Sequence, residues 1–104
     1  MKLISIESYP GKQYEVLGLV KGTIVQTKNL GRDFMAGMKS LVGGELVGYT
    51  EMLNEARQLA TKRMVDEAES LGADAIIGVR YGSSQVMQGA AEVVAYGTAI
   101  KFTE

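Results

Sequence analysis

Residues 91–102 read Ala-Glu-Val-Val-Ala-Tyr-Gly-Thr-Ala-Ile-Lys-Phe, and their alternation decides the fold. One set, Ala91, Val93, Ala95, Gly97 and Ala99, is small; the other, Val94, Tyr96, Thr98, Ile100 and Phe102, is mostly large. Side chains of a strand point alternately to its two faces, so this is a strand with one small and one large face. The small face suits a helix packed at close range. The large face needs a cover of its own, and a second subunit is the natural candidate, with residues 32–42 and the N-terminal segment as the intramolecular alternative.

The helix that fits the small face lies upstream, over 50–71. Leu53, Ala56, Leu59, Ala60, Met64, Ala68 and Leu71 recur at intervals of three and four, which draws one apolar stripe. Lys62 with Asp66 and Arg63 with Glu67 form i,i+4 pairs of opposite charge on the wet side. Thr50 can cap the first turn, Glu51 suits the positive end of the helix dipole, and Gly72 sits where a left-handed stop is expected.

Three further elements complete the outline. Residues 14–27 are rich in Val, Ile and Leu on both alternating sets, predicting a strand covered on both faces, with Pro10-Gly11 as the turn before it. Phe34, Met35, Met38, Leu41 and Val42 have helical spacing, so a short helix is expected over 32–42, ended by Gly43-Gly44. Ile76, Ile77 and Val79 mark a strand over 75–82, and 83–89 reads as a loop. The order is strand, short helix, long helix, strand, strand: one α+β domain over 1–104, too short for a second core.

Composition narrows the function. The 104 residues are 46% hydrophobic and 22% charged, with net charge -1 and scattered cations. No basic face for phosphate contacts is evident, so nucleic acid is not an expected partner. No apolar run approaches the length of a membrane span, and Met1 to Ile6 lacks a signal-peptide pattern, so the cytoplasm is the expected compartment. Histidine and cysteine are absent altogether. That removes Ser-His-Asp and Cys-His catalysis and every imidazole- or thiolate-ligated metal site. Carboxylates, tyrosines and lysines remain for acid–base work, so the composition leans away from an enzyme, and no cofactor is expected.

The motifs are weak. Residues 43–50, Gly-Gly-Glu-Leu-Val-Gly-Tyr-Thr, have the glycine and threonine spacing of a phosphate loop, but Tyr49 stands at the lysine position and Glu45 adds negative charge. These glycines read as a helix-to-helix turn. Met35 and Met38 are core filler rather than soft-metal ligands, and the carboxylates lack calcium-loop spacing.

Topology points to one pole. If the strand over 75–82 runs parallel to that over 14–27, the long helix runs back between them. Arg32 and Asp33, then Glu45, Thr50 and Glu51 at the helix start, then Arg80, Gln88 and Glu92 would gather at the carboxyl end of the parallel strands. Ligands favour that end in open sheets. The alternative is that Arg32 and Arg80 pair with Glu45 and Glu92 to organise turns or a subunit contact.

Several segments in register, Gly31-Arg32-Asp33, Met35-Ala36-Gly37, Leu41-Val42-Gly43-Gly44-Glu45, Tyr49-Thr50-Glu51-Met52-Leu53, Gly72-Ala73-Asp74-Ala75, Gly78-Val79-Arg80 and Met87-Gln88-Gly89-Ala90, closely resemble the YbjQ-like family. The resemblance spans essentially the whole chain. It implies a β-α-β-β domain with an antiparallel sheet, assembled as a ring-like homopentamer, and no established activity. Members often carry a heavy-metal-binding label, to which a chain without thiolate or imidazole lends little support. The function expected is therefore a homo-oligomeric assembly or small-ligand-binding protein. An enzyme with a carboxylate and arginine site between subunits, or a metal-binding protein, stands as the alternative.

Overall fold

The computed structural model describes residues 1–27, 41–42 and 45–104. Its main sheet has four strands: β1 (Lys2–Leu3), β2 (Tyr14–Thr27), β5 (Ala75–Met87) and β6 (Ala90–Phe102), in the order β1-β5-β6-β2. A two-stranded pair, β3 (Leu41–Val42) and β4 (Glu45–Leu46), precedes the helix α1 (Val47–Ser70). β6 is antiparallel to both neighbours, so β2 and β5 run the same way, and α1 returns between them. β1 is parallel to β5, which makes the sheet mixed.

Four expectations are corrected. The sheet has four strands rather than three, because two residues of β1 are too few to show a period. Residues 41–42 are a strand, whereas the rest of the short helix expected over 32–42, with Met35 and Met38, lies outside the described residues, as do positions 43 and 44. Residues 83–87 continue β5 instead of forming a loop; their Ser-Ser-Gln sequence lacks an apolar alternation, yet each end of the stretch pairs with β6. The helix begins at Val47, so Thr50 sits inside it and is no N-cap. At its other end Gly72 adopts φ 80°, with Gly72 N–H bonded to the Glu69 carbonyl and Ala73 N–H to that of Ala68. This pattern is the Schellman stop that the glycine predicts.

The small face of β6 takes the helix, as its sequence requires. Ala56, Ala60, Met64 and Ala68 of α1 bury against Val20, Ile76, Val79, Val93, Ala95 and Ala99. Small residues on both sides bring the two backbones close. At Gly22 an added Cβ would penetrate the Ala60 carbonyl and lie 2.5 Å from the Met64 nitrogen. The expected stripe shifts accordingly: Met52 is buried, whereas Leu59 and Leu71 are exposed.

The charged pairs of α1 divide. Lys62 and Asp66 pair at 3.0 Å in the open. Arg63 and Glu67 instead reach the outer edge of β2: Arg63 Nη1 donates to the Thr23 carbonyl at 2.7 Å, and Lys21 N–H donates to Glu67 Oε1 at 2.9 Å. An edge strand leaves unpaired backbone groups that can recruit another chain, and here the helix caps them.

Candidate functional site

Among the described residues, the far face of the sheet, away from α1, is covered at one end only. Register places Val16, Leu19, Lys21 and Val25 of β2 beside Ile100, Thr98, Tyr96 and Glu92 of β6. Ile4 and Tyr9 of the N-terminal segment pack on Ala75, Ile77, Ile100, Tyr14 and Phe102, with the Tyr9 and Phe102 rings 4.9 Å apart. Beyond that cover, Leu19 keeps 68% of its surface exposed, Val16 63%, Val25 55% and Tyr96 41%. Among the described residues, the second face of β2, expected to be covered, is therefore open beyond the N-terminal segment.

Arg80 belongs to this N-terminal cover rather than to the pole where topology put it. It stands in the middle of β5, opposite Tyr96. The seven residue steps from it to Met87 span about 23 Å of strand. Its Nη1 donates to the Ser5 carbonyl at 2.6 Å and to that of Val79 at 3.0 Å, and its Nη2 lies 3.7 Å from Glu7 Oε1. Its carboxylate partner is thus Glu7, not Glu45 or Glu92. The expectation failed because the strand was taken to end at Gly82, which moved Arg80 too near its tip. Just before it, a bulge with Gly78 at φ 62° turns two successive amides outward, Gly78 N–H to the Ile6 carbonyl and Val79 N–H to that of Ile4. The segment is thereby fixed along β5.

The other pole residues separate by face. Thr27 and Met87 both pair with Ala90, so the hairpin end carrying Gln88 lies level with the end of β2. Thr50 and Glu51 lie in the early turns of α1, and Glu51 is exposed. Glu92 sits on the far face between Val25 and Ser84, with the sheet between it and the helix. Glu45 lies in β4, and Arg32 and Asp33 fall outside the described residues. No three potential metal-ligating side chains gather among the described residues.

A feature the sequence did not disclose lies between α1 and β5. Tyr49 and Leu53 of the helix, Ser83, Ser84 and Gln85 of β5, and Ala91 of β6 line an open cleft of about 240 Å³. Its lining carries hydroxyl, amide and apolar groups and no charge. Reading 83–87 as a loop hid the strand that forms one wall.

The fold and its half-covered sheet define a small two-layer α+β protein. Residues 1–103 match the model of the YbjQ family, described as "Putative heavy-metal-binding", and the chain belongs to that family. It is 58% identical to a UPF0145 protein of Clostridium novyi over 97% of this chain and 98% of that one. It is 57% identical to a UPF0145 protein of Thermotoga maritima over 97% of this chain and 96% of the other. Among solved structures it is similar to a protein with unknown function of the DUF74 family from Pediococcus pentosaceus. That likeness has TM-score 0.63 at 21% identity, covers 98% of this chain and 97% of the other, and concerns the fold alone. No helix among the described residues is long and apolar enough to cross a membrane.

Proposed function

We propose that the protein works as a homo-oligomeric assembly whose copies complete one another's sheets, with any small ligand held where copies meet. The observation that carries this reading is the open far face. Val16, Leu19, Val25 and Tyr96 are exposed on strands whose opposite side packs on α1. Covering side chains of this size to the extent they are exposed stabilises by about 1 kcal/mol each. A closed ring of five is the count that the family resemblance implies.

Light scattering behind size exclusion is expected to give a mass several times the 11.2 kDa of one chain. Leu19→Glu is expected to shift that mass toward the single chain while leaving the circular dichroism of the fold intact, since the side chain is 68% exposed within one copy. A wild-type monomer at micromolar concentration would overturn the proposal. Native mass spectrometry of the same sample reads out any retained small molecule.

A further inference from the structure

The two edges of the sheet are treated differently. The edge of β2 is closed at its middle by Arg63 and Glu67. Among the described residues, the edge of β5 is covered only in its first part, where β1 pairs with Ala75 and Ile76 and where Ile4 and Ile6 accept from Val79 and Gly78. From Tyr81 to Met87 it has no backbone partner on that side among the described residues. Strand alternation carries the outward direction of the Val79 N–H on to Tyr81, Ser83 and Gln85. Among the described residues nothing blunts this stretch. Every residue from 81 to 91 is uncharged and none is proline, and Tyr81, Val86 and Met87 are all exposed. Natural proteins place lysine, proline or a covering element on such an edge unless it is used.

We propose that residues 81–87 of β5 receive an extended strand from a second copy of this chain, adding a fifth strand to the main sheet. The proposal rests on the homo-oligomeric reading above and names the surface through which copies join. The cleft beside the edge supports it: added strands gain affinity from main-chain hydrogen bonds and specificity from pockets for alternate side chains. Tyr49 and Leu53 form the wall opposite Ser83 and Gln85, so a side chain of the added strand would enter between helix and sheet. The occupant is a folded copy rather than a free peptide. Three outward amides offer a short ladder, whereas a specific interface buries roughly 800 Å² per partner. The far face supplies the remaining area, since Ser84 of this stretch lies on that face, level with the exposed Val25 through Glu92.

Hydrogen exchange of the full chain, measured at high and low protein concentration, tests this. The amides of Tyr81, Ser83 and Gln85 are expected to exchange about 100-fold more slowly in the assembled protein than after dilution to the single chain. Ser83→Pro removes the middle outward donor without touching the ladder to β6, and Ser83→Lys keeps that donor while adding a charge to the edge. Both are expected to lower the assembled mass, and the lysine variant serves if the proline variant does not fold. An oligomer of unchanged mass in the lysine variant, or one whose 81–85 amides exchange freely, overturns this edge while leaving the oligomeric reading intact. Protection independent of concentration overturns it too, because the chain then covers its own edge. A monomer at every concentration overturns both.

Discussion

Gly22 is where the helix and the sheet come closest, and a single methyl group there tests the packing of the whole domain. In Gly22→Ala the new Cβ would overlap the Ala60 carbonyl, lie 2.5 Å from the Met64 nitrogen and 2.8 Å from Arg63 Cβ. Two of these three neighbours are backbone atoms, so no rotamer change relieves the contact. Either α1 lifts from β2 or β2 bends. Overpacking a core costs about 1–3 kcal/mol when side chains can adjust, and a rigid backbone neighbour puts this substitution at about 3 kcal/mol or more. Against a total of about 5–15 kcal/mol for a domain, that is a large share. For a chain of this length it corresponds to a fall in Tm of about 12 °C or more. Gly82→Ala is the control, because its Cβ would meet only Val94 Cγ1 at an ordinary 3.5 Å. Thermal unfolding followed by circular dichroism, with all variants at one protein concentration, reads out the difference. A Gly22→Ala protein that melts within about 2 °C of wild type would refute the close approach of α1 to β2.

Three further outcomes are expected. The double variant Arg63→Ala, Glu67→Ala should lose about 1–3 kcal/mol in urea unfolding and aggregate faster on heating, since the caps on Thr23 and Lys21 go; unchanged stability and light scattering would show that the edge needs no cap. Arg80→Ala should speed exchange of the Ile4 amide and of the Gly78 and Val79 amides bonded to the N-terminal segment; equal rates would show that the guanidinium does not hold that segment. Elemental analysis after dialysis should find no stoichiometric zinc, copper(II) or nickel, because the chain has neither histidine nor cysteine. One retained metal per subunit, lost on substituting a carboxylate, would refute that.

How far the sequence could be read follows from where its periods are strong. The 14-residue β2 and the helix stop at Gly72 are legible because branched apolar residues and a glycine leave few alternatives. The two faces of β6 are legible for the same reason, and they carry the layer arrangement with them. The second half of β5 is not legible: Ser83, Ser84 and Gln85 have little strand propensity, and only pairing with β6 makes them extended. That one misplacement displaced Arg80 from its position and concealed the cleft. β1 is invisible for a different cause, since a two-residue strand exists through its partner and through the bulge at Gly78. Charge patterns along a helix show which residues share a side, not what they reach. Lys62 and Asp66 pair as their spacing suggests, whereas Arg63 and Glu67, at the same spacing, serve the backbone of another element.

That difference between the two charged pairs bears on how copies could join. Arg63 and Glu67 satisfy the outward groups of Thr23 and Lys21, so a strand arriving at the middle of β2 would have to displace two hydrogen bonds, together worth about 1–3 kcal/mol. A strand arriving at Tyr81, Ser83 and Gln85 displaces no backbone hydrogen bond made by the described residues. The same backbone chemistry thus discriminates between the two edges by about 1–3 kcal/mol before any side chain is compared. Association biased to one edge has a direction. A surface that meets a different surface on the next copy makes a heterologous contact, and such contacts close into a ring when the rotation between copies permits. A contact of this edge with itself would instead give a twofold pair. The number of copies then reports which segment fills the cleft beside β5: an odd number excludes a purely twofold use of the edge, and a dimer with protected 81–85 amides would select it.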